Sequence, residues 1–256
     1  NGLNYYIVAF SNSGSNMAEK TVSNRINASV GIYIGNNLNV NVADGVTGGE
    51  IAFGEYNTTT KSYADSNGVL TLNGSGWVMV GSSFVSGSGT VVYNGASDQY
   101  ITDWGKDSSY NNITVSGNGG VNNVHLLNDV SSLAVIRAKN TVLIKNNERV
   151  NADSVIADSL MFSETVEQPV LDENGEFTYD GKGNIVTQNV MMDYNGYLMV
   201  DGLYAERVGA EYKEISAPLH INKFDAGHGT VEFGMTAGYP ITSTQYFNAL
   251  NYYNLV

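Results

Sequence analysis

The chain has 256 residues, of which 42% are hydrophobic and only 14% charged, a balance that excludes a disordered polyelectrolyte and requires a buried core. With 25 acidic against 12 basic side chains the net charge is −13, which argues against a nucleic-acid-binding face and against docking on an anionic membrane. The absence of cysteine excludes disulfides, thiol catalysis and cysteine metal sites together.

Taken in order, residues 1–10 (NGLNYYIVAF) run into an aliphatic strand at Ile7 and Val8. Residues 11–27 are polar, and 17–20 fit either a helical turn or a loop. From Gly31 a period of two sets in. Ile32 and Ile34, then Leu38, Val40 and Val42 between asparagines, predict strands with one buried and one wet face. Further short strands are predicted at 50–53, 69–72, 77–80 (opened by Trp77, a core residue on this reading) and 91–93, separated by glycine-containing turns. The rhythm continues through 124–127, 133–136 and 142–144.

Composition then shifts, since 14 of the 25 acidic residues fall between Glu148 and Glu214. Residues 148–217 are therefore expected to form an irregular acidic insertion or small lobe between a first part, 1–147, and a return to regular strands over 218–256. Within it, Asp172-Glu173-Asn174-Gly175 and Asp180-Gly181-Lys182-Gly183 read as consecutive hairpin turns. Ala205, Val208, Tyr212 and Ile215 stand at helical spacing behind Asp201 and predict a short helix, against which Gly209 counts.

The strongest signal is an internal repeat. Gly89-Thr90-Val91 recurs as Gly229-Thr230-Val231, a spacing of 140 (229 minus 89), with Tyr93 matching Phe233 and Ile101-Thr102 matching Ile241-Thr242. After a two-residue gain, Asn112-Ile113 meets Asn254-Leu255. Leu3-Asn4-Tyr5-Tyr6 also recurs as Leu250-Asn251-Tyr252-Tyr253, so the chain is expected to start and stop at equivalent points of a repeating design. Such a unit cannot bury its own apolar face and needs a neighbour stacked on it. Val91, Tyr93, Ile101 and Ile113 are expected to point inward, as are Val231, Phe233, Ile241 and Leu255. Asparagines stacked on successive strands are expected to form hydrogen-bonded ladders.

The motif Gly-Thr-Val-x-aromatic, a polar turn, an Ile-Thr strand and Asn-Asn-Ile-Thr-Val resembles the modules of large repetitive secreted bacterial surface proteins, such as adhesins and autotransporter passengers. The resemblance covers 69–115 and 229–256 and does not extend over 151–217. It implies an all-β, mainly parallel β-helix (a solenoid), with a tandem of β-sandwiches as the alternative. It also implies an extracellular, cell-surface structural or adhesive role, and it transfers no catalytic residue.

Candidate chemistry is thin. Asp98, Asp103 and Asp107 lie in the turn region of the motif, and the second copy has Gly238, Ser243 and Phe247 there, so solvated turn residues are the expectation rather than a catalytic pair. His125, His220 and His228 show no metal-ligand spacing, and no cofactor is implied. Asp172, Asn174, Glu176 and Asp180 have the composition of a calcium loop, but Gly175 is fourth where the calcium pattern needs it sixth; calcium is a candidate ion and a plain hairpin the simpler reading. The glycosylation-type triplets at Asn27, Asn57, Asn73 and Asn112 are expected by composition alone in so asparagine-rich a chain.

These observations favour a non-enzymatic role, with a secreted polysaccharide-active enzyme or a sugar-binding module on the same scaffold as the alternative. The expected partners are copies of the chain and surface glycans. The expected contact surface is Leu3, Tyr5, Tyr6, Ile7, Val8 and Phe10 at one end and Tyr252, Tyr253, Leu255 and Val256 at the other. A terminal strand with unpaired N–H and C=O groups templates association. Head-to-tail contact between unlike ends extends into a filament where its rotation does not close.

Overall fold

The computed structural model describes residues 4–54, 56–57, 59–60, 62–74, 78–96, 98–103, 108–117, 122–127, 135–200, 204–208, 211–216, 219–233 and 250–256. The chain opens with β1 (Asn4–Phe10), β2 (Ala18–Val22), β3 (Ile26–Ile34), β4 (Leu38–Val42) and β5 (Val46–Phe53). A small antiparallel pair, β6 (Tyr56–Asn57) and β7 (Ser62–Tyr63), precedes β8 (Val69–Leu72), β9 (Val78–Val85) and β10 (Thr90–Tyr93). Next come β11 (Gln99–Thr102), β12 (Tyr110–Val115), β13 (Asn122–Leu127), β14 (Val135–Ile144), β15 (Glu148–Ala152) and β16 (Ser154–Met161). β17 (Ser163–Pro169) and β18 (Thr187–Asp193) form an antiparallel pair before β19 (Tyr197–Val200). β20 (Tyr204–Val208) and β21 (Glu211–Ser216) form another, and β22 (Leu219–Asp225), β23 (Thr230–Phe233) and β24 (Asn254–Leu255) follow.

All the larger sheets are parallel. Their strand orders are β1-β3-β5-β9, β2-β4-β8-β10-β12-β14-β16-β22 and β11-β13-β15-β19-β23-β24. Successive strands usually pass to a different sheet, so each strand pairs with one met an excursion earlier. Alternation explains the core. Leu38, Val40 and Val42 are fully buried while Asn39 and Asn41 are partly exposed. The same inward rank continues through Leu70, Val91, Ile113 and Val142, each paired with the next. Burying such a rank contributes about 1.5–3 kcal/mol per large aliphatic side chain, which sets the register firmly.

Asparagine ladders join neighbouring strands outside this core. Asn94 Nδ2 donates to Asn73 Oδ1 at 2.8 Å and Asn140 Nδ2 to Asn112 Oδ1 at 2.9 Å.

The repeat has a geometric counterpart. Thr90 pairs with Asn112 and Val91 with Ile113, just as Thr230 pairs with Asn254 and Val231 with Leu255. Asn112 Nδ2 and Asn254 Nδ2 each donate to the threonine hydroxyl at 3.3 Å. Gly87 and Gly227 both have positive φ (47° and 42°). A Cβ on Gly89 would stand 2.2 Å from the Phe53 ring, and one on Gly229 2.2 Å from the Phe162 ring, so glycine is required where an aromatic lies on the backbone. Those rings meet Phe84 and Phe224 edge-on, both at 78°.

This equivalence runs much further than the motif. The pairs Ile26↔Val46, Ile32↔Ile51, Val40↔Leu70, Val46↔Val78, Ile51↔Phe84 and Leu70↔Val91 of the first unit have counterparts in the second. The counterparts are Ile136↔Val155, Val142↔Leu160, Val150↔Leu198, Val155↔Leu219, Leu160↔Phe224 and Leu198↔Val231. Even the irregularity between Ala28 and Gly31 recurs between Arg137 and Thr141. The second unit is displaced by one sheet: β10 belongs to the eight-stranded sheet and its counterpart β23 to the six-stranded one.

Several expectations are corrected. Residues 18–22 are a strand rather than a helical turn or a loop. The short helix expected from Ala205 to Ile215 is the antiparallel pair β20–β21, consistent with the strand-favouring Tyr204, Val208, Tyr212 and Ile215. No α-helix occurs among the described residues. Of the acidic segment, residues 148–161 and 197–200 pair into the large sheets, while 163–193 and 204–216 carry the antiparallel pairs. Val91, Tyr93, Ile101, Ile113 and Val231 are buried as expected. Phe233 is half-buried, and Leu255 is 47% exposed because β24 has β23 as its one described neighbour. Ile241 lies outside the described residues, as do Leu3, Trp77 and Asp107.

Candidate assembly surfaces

Three strands hold one position in the repeating design. Tyr110 pairs with Ala138 and Ile113 with Val142, as Tyr5 pairs with Ala28 and Val8 with Ile32. On the other side, Ile113 pairs with Val91 as Leu255 pairs with Val231. β1, β12 and β24 are thus equivalent, and they differ in how many neighbours they have. β12 lies between β10 and β14, whereas β1 has β3 alone and β24 has β23 alone among the described residues.

Exposure follows from that difference. Tyr110 is 1% exposed and its equivalent Tyr5 44%. Ile113 is fully buried, whereas Leu255 is 47% exposed and Val8 half-buried. Tyr6, Ile7, Tyr253 and Val256 are exposed as well, and Phe10 and Tyr252 rest partly on the core. Tyr252 packs on Phe224 at 5.2 Å, repeating the Tyr110–Phe84 contact at 5.1 Å, and burial pushes its phenol up to about 12. Apart from Leu3, each residue expected at the contact surface therefore lies on one of two one-sided edges or, as Tyr252, Tyr253 and Val256 do, beside one.

Several of the candidate acids bond to backbone N–H groups. Asp103 Oδ2 accepts the Val135 N–H at 3.2 Å, which anchors the start of β14, and Asp98 is exposed. Asp172 Oδ1 accepts the N–H groups of Asn174 and Glu176 at 2.8 and 3.0 Å, and Asp180 Oδ1 those of Lys182 and Asn184 at 2.8 and 2.9 Å. Gly175 and Gly183 have φ of 80° and 83°, so these are two successive hairpin turns. The backbone bonds hold the Asp172 carboxylate below its usual range, and for Asp180 the Asn184 side chain contributes first. Among the described residues no group of three His, Asp or Glu side chains is placed to hold a metal.

His228 sits in the 226–229 turn, its Nε2 4.0 Å from Asp193 Oδ2 and its ring 4.8 Å from that of Tyr253. His125 falls in β13, where only the backbone is described. His220 lies on β22 directly across from Ile156, which is across from Arg137. Sequence spacing carries no signal for that row, because only strand register aligns the three. No protein family model, no curated protein and no solved structure matches this chain.

Proposed function

We propose that this chain is a structural or adhesive element of a bacterial cell surface, built as a parallel β-helix whose units join end to end. The joining produces an extracellular filament or a longer repetitive exoprotein. One observation supports this reading: β12 lies between two neighbours at the junction of the two units, and β1 and β24, its equivalents, each have one neighbour among the described residues. A further unit would meet β24 as β14 meets β12. The resemblance of the repeated motif to secreted surface modules supplies the location. Parallel pairing throughout the large sheets favours a β-helix over a sandwich of antiparallel sheets.

The test is a tandem chain in which Tyr253 of one copy runs directly into Ile7 of the next, so that one strand serves both units. The tandem is expected to fold as a single longer rod in negative stain, with a thermal midpoint at or above that of the single chain. Intact single chains are expected to form end-to-end multimers by light scattering, and deletion of residues 1–10 is expected to abolish that assembly or leave an aggregation-prone end. Well-behaved monomers of both at high concentration, together with a tandem that unfolds below the single chain, would overturn the reading.

A further inference from the structure

The second unit carries charge at positions whose equivalents in the first unit are uncharged. Strand register sets Arg137, Ile156 and His220 side by side across β14, β16 and β22. Two residues further along each strand, hence on the same face, come Lys139, Asp158 and Asn222. These six line a groove of about 730 Å³. The equivalent row of the first unit is Asn27, Thr47 and Met79, followed by Ser29, Gly49 and Gly81. The scaffold is the same and the charges are not required by it. In a chain with 12 Lys and Arg and a net charge of −13, two cations and a histidine gather on one face. Arg137 is ion-paired with Asp103, and Lys139 is close enough to Asp65 to add to the Ser88 hydrogen bond that favours its ionised form.

The groove is polarised along its length. At the β14 end, the Arg137 side chain is 18% exposed, and its Nε is buried with no hydrogen-bond partner. The Nε is ion-paired with Asp103 Oδ1 at 3.7 Å, too long for a hydrogen bond, so its buried N–H has no hydrogen-bond partner, which is costly for a partly buried cation. Lys139 beside it is exposed, with Nζ 3.1 Å from Ser86 Oγ. Toward β22 the chemistry changes. Asp158 Oδ1 accepts Asn222 Nδ2 at 3.0 Å, while Oδ2 takes Ser159 Oγ at 3.2 Å and Lys223 Nζ at 3.3 Å. The Asn222 bond is the largest of the effects that hold this carboxylate below its usual range, so it is an ionised acceptor. Burial and then the Arg137 charge hold the His220 imidazole below its usual range, so it offers neutral hydrogen bonding rather than a third cation.

We propose that this groove binds an acidic oligosaccharide, with a sugar carboxylate on Arg137 and Lys139 and ring hydroxyls on Asp158, Asn222 and His220. An inorganic anion would use only the cationic end, and a nucleic acid would meet Asp158 and the acidic chain around it. Strands about 4.8 Å apart make the three-strand row about 10 Å wide, the length of roughly two sugar rings. Ile156 gives the middle of the floor an apolar patch for a ring face. The site lies on the flank of the sheet and is independent of whether the ends join.

The experiment is isothermal titration of the full chain with oligomers of galacturonate, mannuronate and hyaluronan, beside the methyl-esterified galacturonate oligomer and sodium sulfate. At least one acidic oligomer should bind, and added salt should weaken it. For a galacturonate binder the ester should be about tenfold weaker or worse, the loss expected when a charged hydrogen bond goes. Lys139→Gln and Arg137→Gln should each cost about fivefold or more, and Arg137→Lys less. Lys139 is exposed, so its variant tests the site even where Arg137→Gln fails to fold. Failure of all three acidic oligomers to bind would overturn the proposal, as would equal affinity for acid and ester. Sulfate binding as tightly as the oligomers would make the groove a simple anion site instead.

Discussion

Leu38 opens a strand in the first unit at the position that Glu148 occupies in the second. Asn36-Asn37 precede the one and Asn146-Asn147 the other, and both side chains are buried, to 0% and 2% exposure. Two units with the same pairing and the same corners thus differ in what they place inside and on one face. The first is the plainer version: its corner is apolar, and the positions equivalent to those of the groove are uncharged. The second buries a carboxyl group, carries the charged groove and extends two antiparallel pairs, β17–β18 and β20–β21. Among its described residues the first has the short β6–β7 pair, inserted after Phe53 as β17–β18 is inserted after Phe162. The pairing and the corners are common to both units, and the departures from the common pattern fall mainly in the second.

The most severe way to break the comparison is to remove the aromatic on which each corner turns. Phe53 is 1% exposed and Phe162 fully buried, each beneath a glycine. Phe53→Ala and Phe162→Ala should each destabilise by about 3–5 kcal/mol, and by similar amounts. Guanidinium unfolding followed by circular dichroism checks this. A loss of less than half as much at one of the two sites would show that the two corners are alike in geometry but not in energy.

The next largest effect tests the difference at Glu148. Its Oε1 has no hydrogen-bond partner, and burial pushes the carboxyl up to about 7, against a partial opposing effect from the backbone of Gly117. An ordinary glutamate ionises near 4.5, so between about pH 4.5 and 7 the folded protein holds a proton that the unfolded chain releases. The contribution of this group to stability is full below 4.5, falls as pH rises through that window, and levels off above about 7. Glu148→Leu should remove that slope and stabilise the protein by roughly 1–3 kcal/mol at pH 8. Urea midpoints at pH 4, 6 and 8 for both proteins make the measurement. An unchanged slope in the variant would assign the pH dependence to other groups.

How much of this is legible in the sequence depends on whether a feature lies within one strand or between strands. The alternation of Leu38, Val40 and Val42 states both the strand and its buried face, and Gly89 and Gly229 announce the repeated corner. The helix expected around Ala205 and Ile215 is not there, because spacings of three and four arise by accident when strand-forming residues flank a turn. The full duplication is hidden because insertions change the spacing along the chain. It is 110 between Ile26 and Ile136, 128 between Leu70 and Leu198, and 140 between Val91 and Val231. Arg137 and His220 give no sign of each other in sequence, since only the register of β14, β16 and β22 puts them in one row.

The smallest effect belongs to the asparagine corners, and it separates backbone from side chain. Asn37 and Asn147 have φ of 51° and 61°, the left-handed region that asparagine tolerates better than other residues with a Cβ. At both corners the chain is clasped reciprocally by the next strand's asparagine. Asn67 Oδ1 accepts the Asn37 N–H at 2.8 Å while the Asn67 N–H donates to Asn36 Oδ1 at 3.1 Å. Asn195 Oδ1 accepts the Asn147 N–H at 3.0 Å and its N–H donates to Asn146 Oδ1 at 2.9 Å. At the first corner the Asn37 side chain is also bonded, its Oδ1 accepting Asn67 Nδ2 at 3.2 Å. Alanine at either site meets the left-handed penalty of about 1–2 kcal/mol, whereas glycine escapes it. Asn37→Ala also loses the added side-chain bond, which is exposed and contributes about 0.5 kcal/mol. Asn37→Ala should therefore cost slightly more than Asn147→Ala, and the two glycine variants should differ by that same small amount while lying nearer to the parent. Urea midpoints for the four single variants resolve this. An Asn147→Ala variant less stable than Asn37→Ala would show that the second corner relies on a side-chain interaction the first lacks.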